Sequence, residues 1–258
     1  MSSALDPELF AEEPARDARF CVKELWKDCV NLDDGHPLKT VEFLHRQMNE
    51  EINGLECSAR TLADFPEADW ELRVALARQC ADEARHVTMF RRALEARGGR
   101  VGAWPVLNFQ YRIITRIDNL AGRLAVQNRS FEAEGIDAIG FGIGTARAKG
   151  DEALAELLDA QLADEITHVR FANHWIRELI RREPRSALRI ARALTDASRA
   201  FRQVSGPEGL KVVKYGVDAR GRLEAGFLID EVKATAERVA AERGLPAPEL
   251  PAAPRREA

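Results

Sequence analysis

Apolar residues recur along this chain at intervals of three and four, in stretches rich in Ala, Leu, Arg and Glu that widely spaced glycines and prolines punctuate. That periodicity predicts helices. The first long one is expected from the acidic, proline-containing Asp33-Asp34-Gly35-His36-Pro37 to Phe65-Pro66. The second starts after Pro66, with Glu67, Asp69 and Glu71 at its positive end, and stops at Gly98-Gly99. A third lies between Pro105 and Gly135. A fourth runs from about Asp151 to Glu183-Pro184, after a glycine-containing connection at Gly140-Phe-Gly-Ile-Gly144. Helices of about 26 to 33 residues measure roughly 40 to 50 Å, and short links make consecutive ones antiparallel neighbours. The expected fold class is all-α, a four-helix bundle.

Flanking pieces complete the expectation. An N-terminal helix over about 17–30, carrying Phe20, Leu25 and Trp26, packs outside the bundle. One helix follows Pro184 and another spans about 223–243, while turn residues between two short β-prone runs make 211–222 a small hairpin. The organisation is then an N-terminal arm with a short helix (1–35), the bundle (36–183), a C-terminal helical extension (184–244) and a disordered, proline-rich tail (245–258).

Composition narrows the function classes. A net charge of −4 on 258 residues argues against a general attraction to nucleic acid or anionic lipid. No apolar run approaches the roughly 20 residues of a bilayer span, and the acidic N-terminus is unlike a signal peptide, so a cytoplasmic protein without membrane contact is expected. The cysteines Cys21, Cys29, Cys57 and Cys80 show no C-x-x-C spacing and read as reduced thiols.

Candidate chemistry lies in a doubled motif, Asp82-Glu83-Ala-Arg-His86 on the second helix and Asp164-Glu165-Ile-Thr-His168 on the fourth. Residues i and i+3 share a helix face, so each motif aims a carboxylate and an imidazole at one point. Random placement would supply about 0.5 Glu-x-x-His in this composition, and about 0.03 with a preceding Asp, so two copies are not accidental. A third, Glu42-Phe-Leu-His45, lacks the Asp and is what chance supplies.

Spacing adds an independent signal. Glu51 precedes Glu83 by 32 residues and Glu132 precedes Glu165 by 33, so each half is a helical hairpin with Glu on one helix and Glu-x-x-His on the next. Two such hairpins about a pseudo-twofold axis gather four carboxylates and two imidazoles, the two-metal arrangement of ferritin-like bundles. Oxygen and imidazole ligands suit two iron ions, with manganese the substitute at either position. Glu83 and Glu165 would bridge, Glu51 and Glu132 would be terminal, and His86 and His168 would each bind one ion. Asp82 and Asp164 would accept a hydrogen bond from the second nitrogen of the histidine on the opposite helix.

These strings, with Glu132-Ala-Glu-Gly-Ile-Asp137 and the Leu44-His45 pair ahead of Glu51, resemble a bacterial family of ferritin-like di-metal proteins, itself distantly similar to tRNA-hydroxylating di-iron enzymes. The resemblance covers about 40–182. It departs at Asn49, where that family often carries histidine, and the region after Pro184 matches nothing in it.

Two ligand positions require a choice. The stripe Leu44, Met48, Glu51, Leu55, Ser58, Leu62 favours Glu51 over Glu50. On the third helix, Glu134 continues Ile117, Leu120, Leu124 and Phe131, whereas Glu132 continues the smaller Ala121, Ala125 and Asn128; the resemblance selects Glu132. Cys57 and Cys80 read as core residues, His36 and His174 as surface or cap residues. Helix phase places His45 roughly 9 Å along the axis and about 120° around from Glu51, away from a ligand position.

The function expected is O2-dependent: a non-haem di-iron oxidase or oxygenase, with O2 as co-substrate, a small molecule, a peptide or a modified residue as substrate, and an electron donor or reductase as partner. Phe90, where a radical-bearing relative would keep tyrosine, and the remote Tyr111 argue against a stable tyrosyl radical. The alternatives are a ferroxidase or peroxide-scavenging ferritin relative, and a metal-stabilised binding protein without turnover. Eight arginines against three acidic residues over 177–202 read as a solvated, salt-bridged face in preference to a site for RNA or another anion. A homodimer is compatible with all of these readings.

Overall fold

The computed structural model describes residues 18–209 and 215–246. Its secondary structure is that of an all-α helical bundle. Helix α1 spans Lys39–Asp64 and α2 spans Trp70–Ala96, matching the expected hairpin to within a few residues. Next come α3 (Phe109–Thr115), α4 (Leu120–Val126), a π-helical stretch Gln127–Glu132 and α5 (Ala133–Ala148). Helices α6 (Glu152–Arg182), α7 (Ser186–Gly209, kinked at Gly206), α8 (Ala219–Glu224) and α9 (Ile229–Arg243) complete the order. No helix among the described residues is long and apolar enough to cross a membrane.

The described residues fall into two compact units, 18–127 with 179–209, and 128–178 with 215–246. In the first, Leu72, Leu76, Phe90 and Leu94 of α2 and Leu44, Met48 and Cys57 of α1 are buried, so the two helices hide one apolar stripe each. The helical arm expected over 17–30 is instead a two-residue strand β1 (Val22–Lys23) and a single 3-10 turn at Trp26–Asp28; residue 17 lies outside the described chain. Pairing explains the difference. Strand β1 runs parallel to β2 (Val106–Leu107), with Val22 opposite Val106, and the Leu107 carbonyl accepts from Asn49 Nδ2 at 2.8 Å and Asn53 Nδ2 at 3.3 Å. Asn49 therefore ties a strand to α1. Arg112 holds the same arm by reaching Glu24 at 2.5 Å.

In the second unit, α5 and α6 pack through Ala133, Ile136, Ile166 and Val169, joined by a turn in which Gly150 takes φ +73°. The expected connection at Gly140–Gly144 is helical, and the chain turns at Lys149–Asp151. Small size accounts for this: a Cβ at Gly140 would come within 2.9 Å of Asp218 Oδ2, and one at Gly142 within 3.1 Å of Leu158 Cδ1. These glycines serve close packing and do not end the helix.

The C-terminal segment is stapled to that hairpin. Arg222 Nη2 donates to Asp137 Oδ2 at 2.6 Å, and Asp218 N donates to Asp137 Oδ1 at 2.8 Å. Arg243 pairs with Glu134 at 2.7 Å, Asn173 Nδ2 donates to the Ala225 carbonyl at 2.9 Å, and Arg129 reaches both Asn173 and Glu231. The helix expected over about 223–243 is broken into α8 and α9 at Gly226, φ +83°. Residues 219–222 of the expected hairpin are helical, because the Asp218 side chain caps α8 by accepting from Gly221 N; 211–214, like the tail beyond 246, lie outside the described residues.

Candidate metal centre

Helix α1 presents Glu51, and α2 presents Glu83 and His86 one turn apart. His86 Nδ1 lies 3.0 Å from Glu51 Oε2 and 3.4 Å from Glu83 Oε2, with all three side chains almost fully buried. Gln79, one turn before Glu83 and also buried, donates from Nε2 to Glu83 Oε1 at 3.2 Å. Gly54 backs the same carboxylate, since a Cβ there would meet Glu83 Cδ and Oε1 at 3.0 Å.

The second hairpin repeats the theme. His168 Nδ1 lies 3.5 Å from Glu165 Oε2 on α6, and Asn128 Nδ2 donates to Glu132 Oε2 at 2.8 Å. Glu132 ends the π-helical stretch. A π turn holds one residue more than an α turn, which rotates everything beyond it relative to the helix before. The continuous α phase that linked Ile117, Leu120 and Leu124 to Glu134 therefore does not hold, and Glu134 turns to Arg243 while Glu132 is buried.

Ligand atoms of Glu51, Glu83, His86 and Glu165 lie within 4.8 Å of one another, as do those of Glu83, Glu132, Glu165 and His168. Each group holds three carboxylates and one imidazole, and Glu83 and Glu165 belong to both. These buried clusters could hold metal ions. Two carboxylate charges at that separation repel by roughly 3 to 4 kcal/mol at an effective dielectric of about 20, and divalent cations relieve that cost. An oxygen-rich donor set with one imidazole per group suits iron or manganese and lacks the thiolates that favour softer ions.

The remaining sequence candidates fall outside the two four-residue groups. Asp82 is half-buried and sits 3.5 Å from Arg85 on its own helix, and Asp164 is half-buried beside Glu165. His45 is buried between the Phe20 and Trp104 rings, and its Nε2 accepts from Gly102 N at 2.9 Å. Burial lowers its pKa to about 4, so it is a neutral acceptor. Glu50 accepts from Gln110, His36 Nδ1 accepts from Leu38 N, and His174 is exposed. Cys57 is buried and Cys80 Sγ lies 4.0 Å from the Leu55 carbonyl; neither belongs to the two groups. Within 177–202, Arg182 pairs with Asp69, Arg189 with Glu183, and Arg199 with Asp196, while Arg177 donates to the Gly226 carbonyl.

Sequence reasoning passes over Gln79 and Gly54, and reads Asn128 only as a small neighbour on the Glu132 stripe. A signal for the first is present: Gln79-Cys-Ala-Asp-Glu-Ala-Arg-His86 and Gln161-Leu-Ala-Asp-Glu-Ile-Thr-His168 agree at Gln and Ala as well as at Asp, Glu and His. The repeat is longer than the ligand motif.

The sequence model of a family described as "Protein of unknown function (DUF455)" matches residues 3–233. This chain belongs to the DUF455 family. Among its relatives is a Haemophilus influenzae (strain ATCC 51907 / DSM 11121 / KW20 / Rd) protein described as "Uncharacterized protein", 27% identical over 229 residues, which cover 85% of this chain and 74% of the relative. No solved structure matches this DUF455 chain. The family match spans both hairpins, α8 and the first turn of α9.

Proposed function

We propose that this protein is an O2-dependent non-haem di-iron oxidase or oxygenase acting on a small molecule or a peptide. The observation that carries the reading is the sharing of Glu83 and Glu165 between two groups that each add one histidine and one further glutamate. Glu51 and His86 would complete one position, and Glu132 and His168 the other. Two ferrous ions held there would supply electrons and coordination positions to O2.

The chain's own residues do the rest. Burial of all six side chains keeps bulk water from the carboxylates and strengthens their hold on a cation. Gln79 and Asn128 are neutral amide donors that steady Glu83 and Glu132 without competing charge. Phe90, one turn beyond His86 and fully buried, offers no phenol to oxidise. A C-terminal segment stapled to the α5–α6 hairpin favours a substrate-handling enzyme over a minimal iron-storage subunit, which has no need of it.

Metal analysis of protein expressed with ample iron, then anaerobic reduction and stopped-flow mixing with O2, tests the reading. Near two irons per chain and a transient visible absorbance are expected. One zinc, or no metal and no reaction with O2, would remove it.

A further inference from the structure

Glu83 is flanked on two sides by residues that belong to neither ligand group. From its own helix, the fully buried Gln79 donates to Oε1 at 3.2 Å. From α1, Gly54 presents bare backbone, where even a methyl group would stand 3.0 Å from Cδ and Oε1 and 3.3 Å from Oε2. Contacts that short are tighter than almost all real Cβ contacts, so the Glu83 carboxylate would have to shift by a few tenths of an ångström. The carboxylate thus has a donor on one oxygen, and its present pose fills space that only a residue without a Cβ leaves open at position 54.

Helix packing alone does not call for this pair. A methionine at 79 would fill the volume of Gln79 without desolvating an amide, and alanine at 54 would be the better helix former by about 1 kcal/mol. Both positions forgo that gain, and both touch the same carboxylate. Of the four glutamates, it is one of the two shared between the ligand groups, so an error in its place would disturb both positions at once.

We propose that Gln79 and Gly54 are positioning residues that preset the Glu83 carboxylate in its metal-binding pose before any ion arrives. This rests on the reading of the clusters as a metal centre. A neutral amide suits that role, because it stabilises the ionised carboxylate by a charge-assisted hydrogen bond yet does not repel a divalent cation as lysine or arginine would.

The experiment compares full-length wild-type protein with Gln79→Met and Gly54→Ala. Each is titrated anaerobically with Co(II) against a competing chelator while visible spectra are recorded, and thermal unfolding of each metal-free protein is measured in parallel. Wild type should take two Co(II). Both variants should bind about 10- to 100-fold more weakly, with altered band intensity, and their metal-free unfolding midpoints should stay level or rise. A Gln79→Met protein with a lower midpoint but unchanged Co(II) affinity and spectrum would show that Gln79 only supports the fold, overturning the proposal while leaving the metal centre in place. Failure of the wild type to take Co(II) would overturn both.

Discussion

Replacing Arg222 with methionine should release the C-terminal segment from the α5–α6 hairpin without disturbing α1. Arg222 and Asp137 are 10% and 4% exposed, and three contacts join them at 2.6 to 3.2 Å. Removing one partner of a buried pair typically costs about 3 to 5 kcal/mol, because the remaining charge is left without its counterion. Asp137 keeps the hydrogen bond from Asp218 N, and burial already raises its pKa despite Arg222, so proton uptake limits the loss to the lower end, about 3 kcal/mol. At about 1.4 kcal/mol per factor of ten, peptides from α8 and α9 should exchange amide hydrogens on the order of 100-fold faster, while α1 peptides keep wild-type rates. The sign of the pH effect is fixed as well. A carboxyl whose folded pKa is raised holds its proton more tightly folded than unfolded, so lowering the pH from about 7 toward about 5 should raise the protection factors of the variant, measured against the intrinsic exchange rate at each pH. A second change, Asp137→Leu in the same chain, should recover most of the protection. Unaltered exchange at α8 and α9 in Arg222→Met would refute the claim that this pair docks the segment.

Three further outcomes follow from other contacts. Glu83→Ala or His168→Ala should lose metal, by elemental analysis, while far-ultraviolet circular dichroism retains the helical signal; two ions kept in either variant would remove that residue from the ligand set. His45, with its pKa lowered from 6.5 to about 4 by burial, stays neutral folded while the unfolded chain takes up a proton, so urea stability should rise with pH between those values and His45→Phe should flatten that slope. Gly102→Ala should free the N-terminal arm, because Gly102 holds φ +79° and a Cβ there would collide with the Arg19 backbone; limited proteolysis within 19–29 should accelerate, and an unchanged cleavage rate would count against it.

Patterns that repeat along one straight helix are the easiest to read. An unbroken 3.6-residue stripe selects Glu51 over Glu50, and the structure buries Glu51 while Glu50 accepts from Gln110. Spacing between hairpins counts residues and is blind to local phase, so it finds a glutamate on the third helix although the π turn scrambles the periodicity there; Glu132 at 33 residues and Glu134 at 31 match the 32-residue interval of the first hairpin equally well, and the family resemblance decides between them. Helix ends are harder wherever a glycine has two physical uses. At Gly150 the backbone needs positive φ and the helix stops, whereas at Gly140 and Gly142 the missing Cβ only admits Asp218 and Leu158, and the helix continues. The same ambiguity hides Gly54, whose use appears only when a side chain 29 residues later arrives against it. The N-terminal arm is not helical because its partner is the two-residue strand at Val106–Leu107, and a parallel pair that short leaves no alternation in either segment for a sequence reading to detect. Local period therefore carries the helices, and repeated distance carries the ligand hairpins, with local period and the family resemblance choosing the residue within each. The residues that hold Glu83 in place are expressed only in contacts between helices.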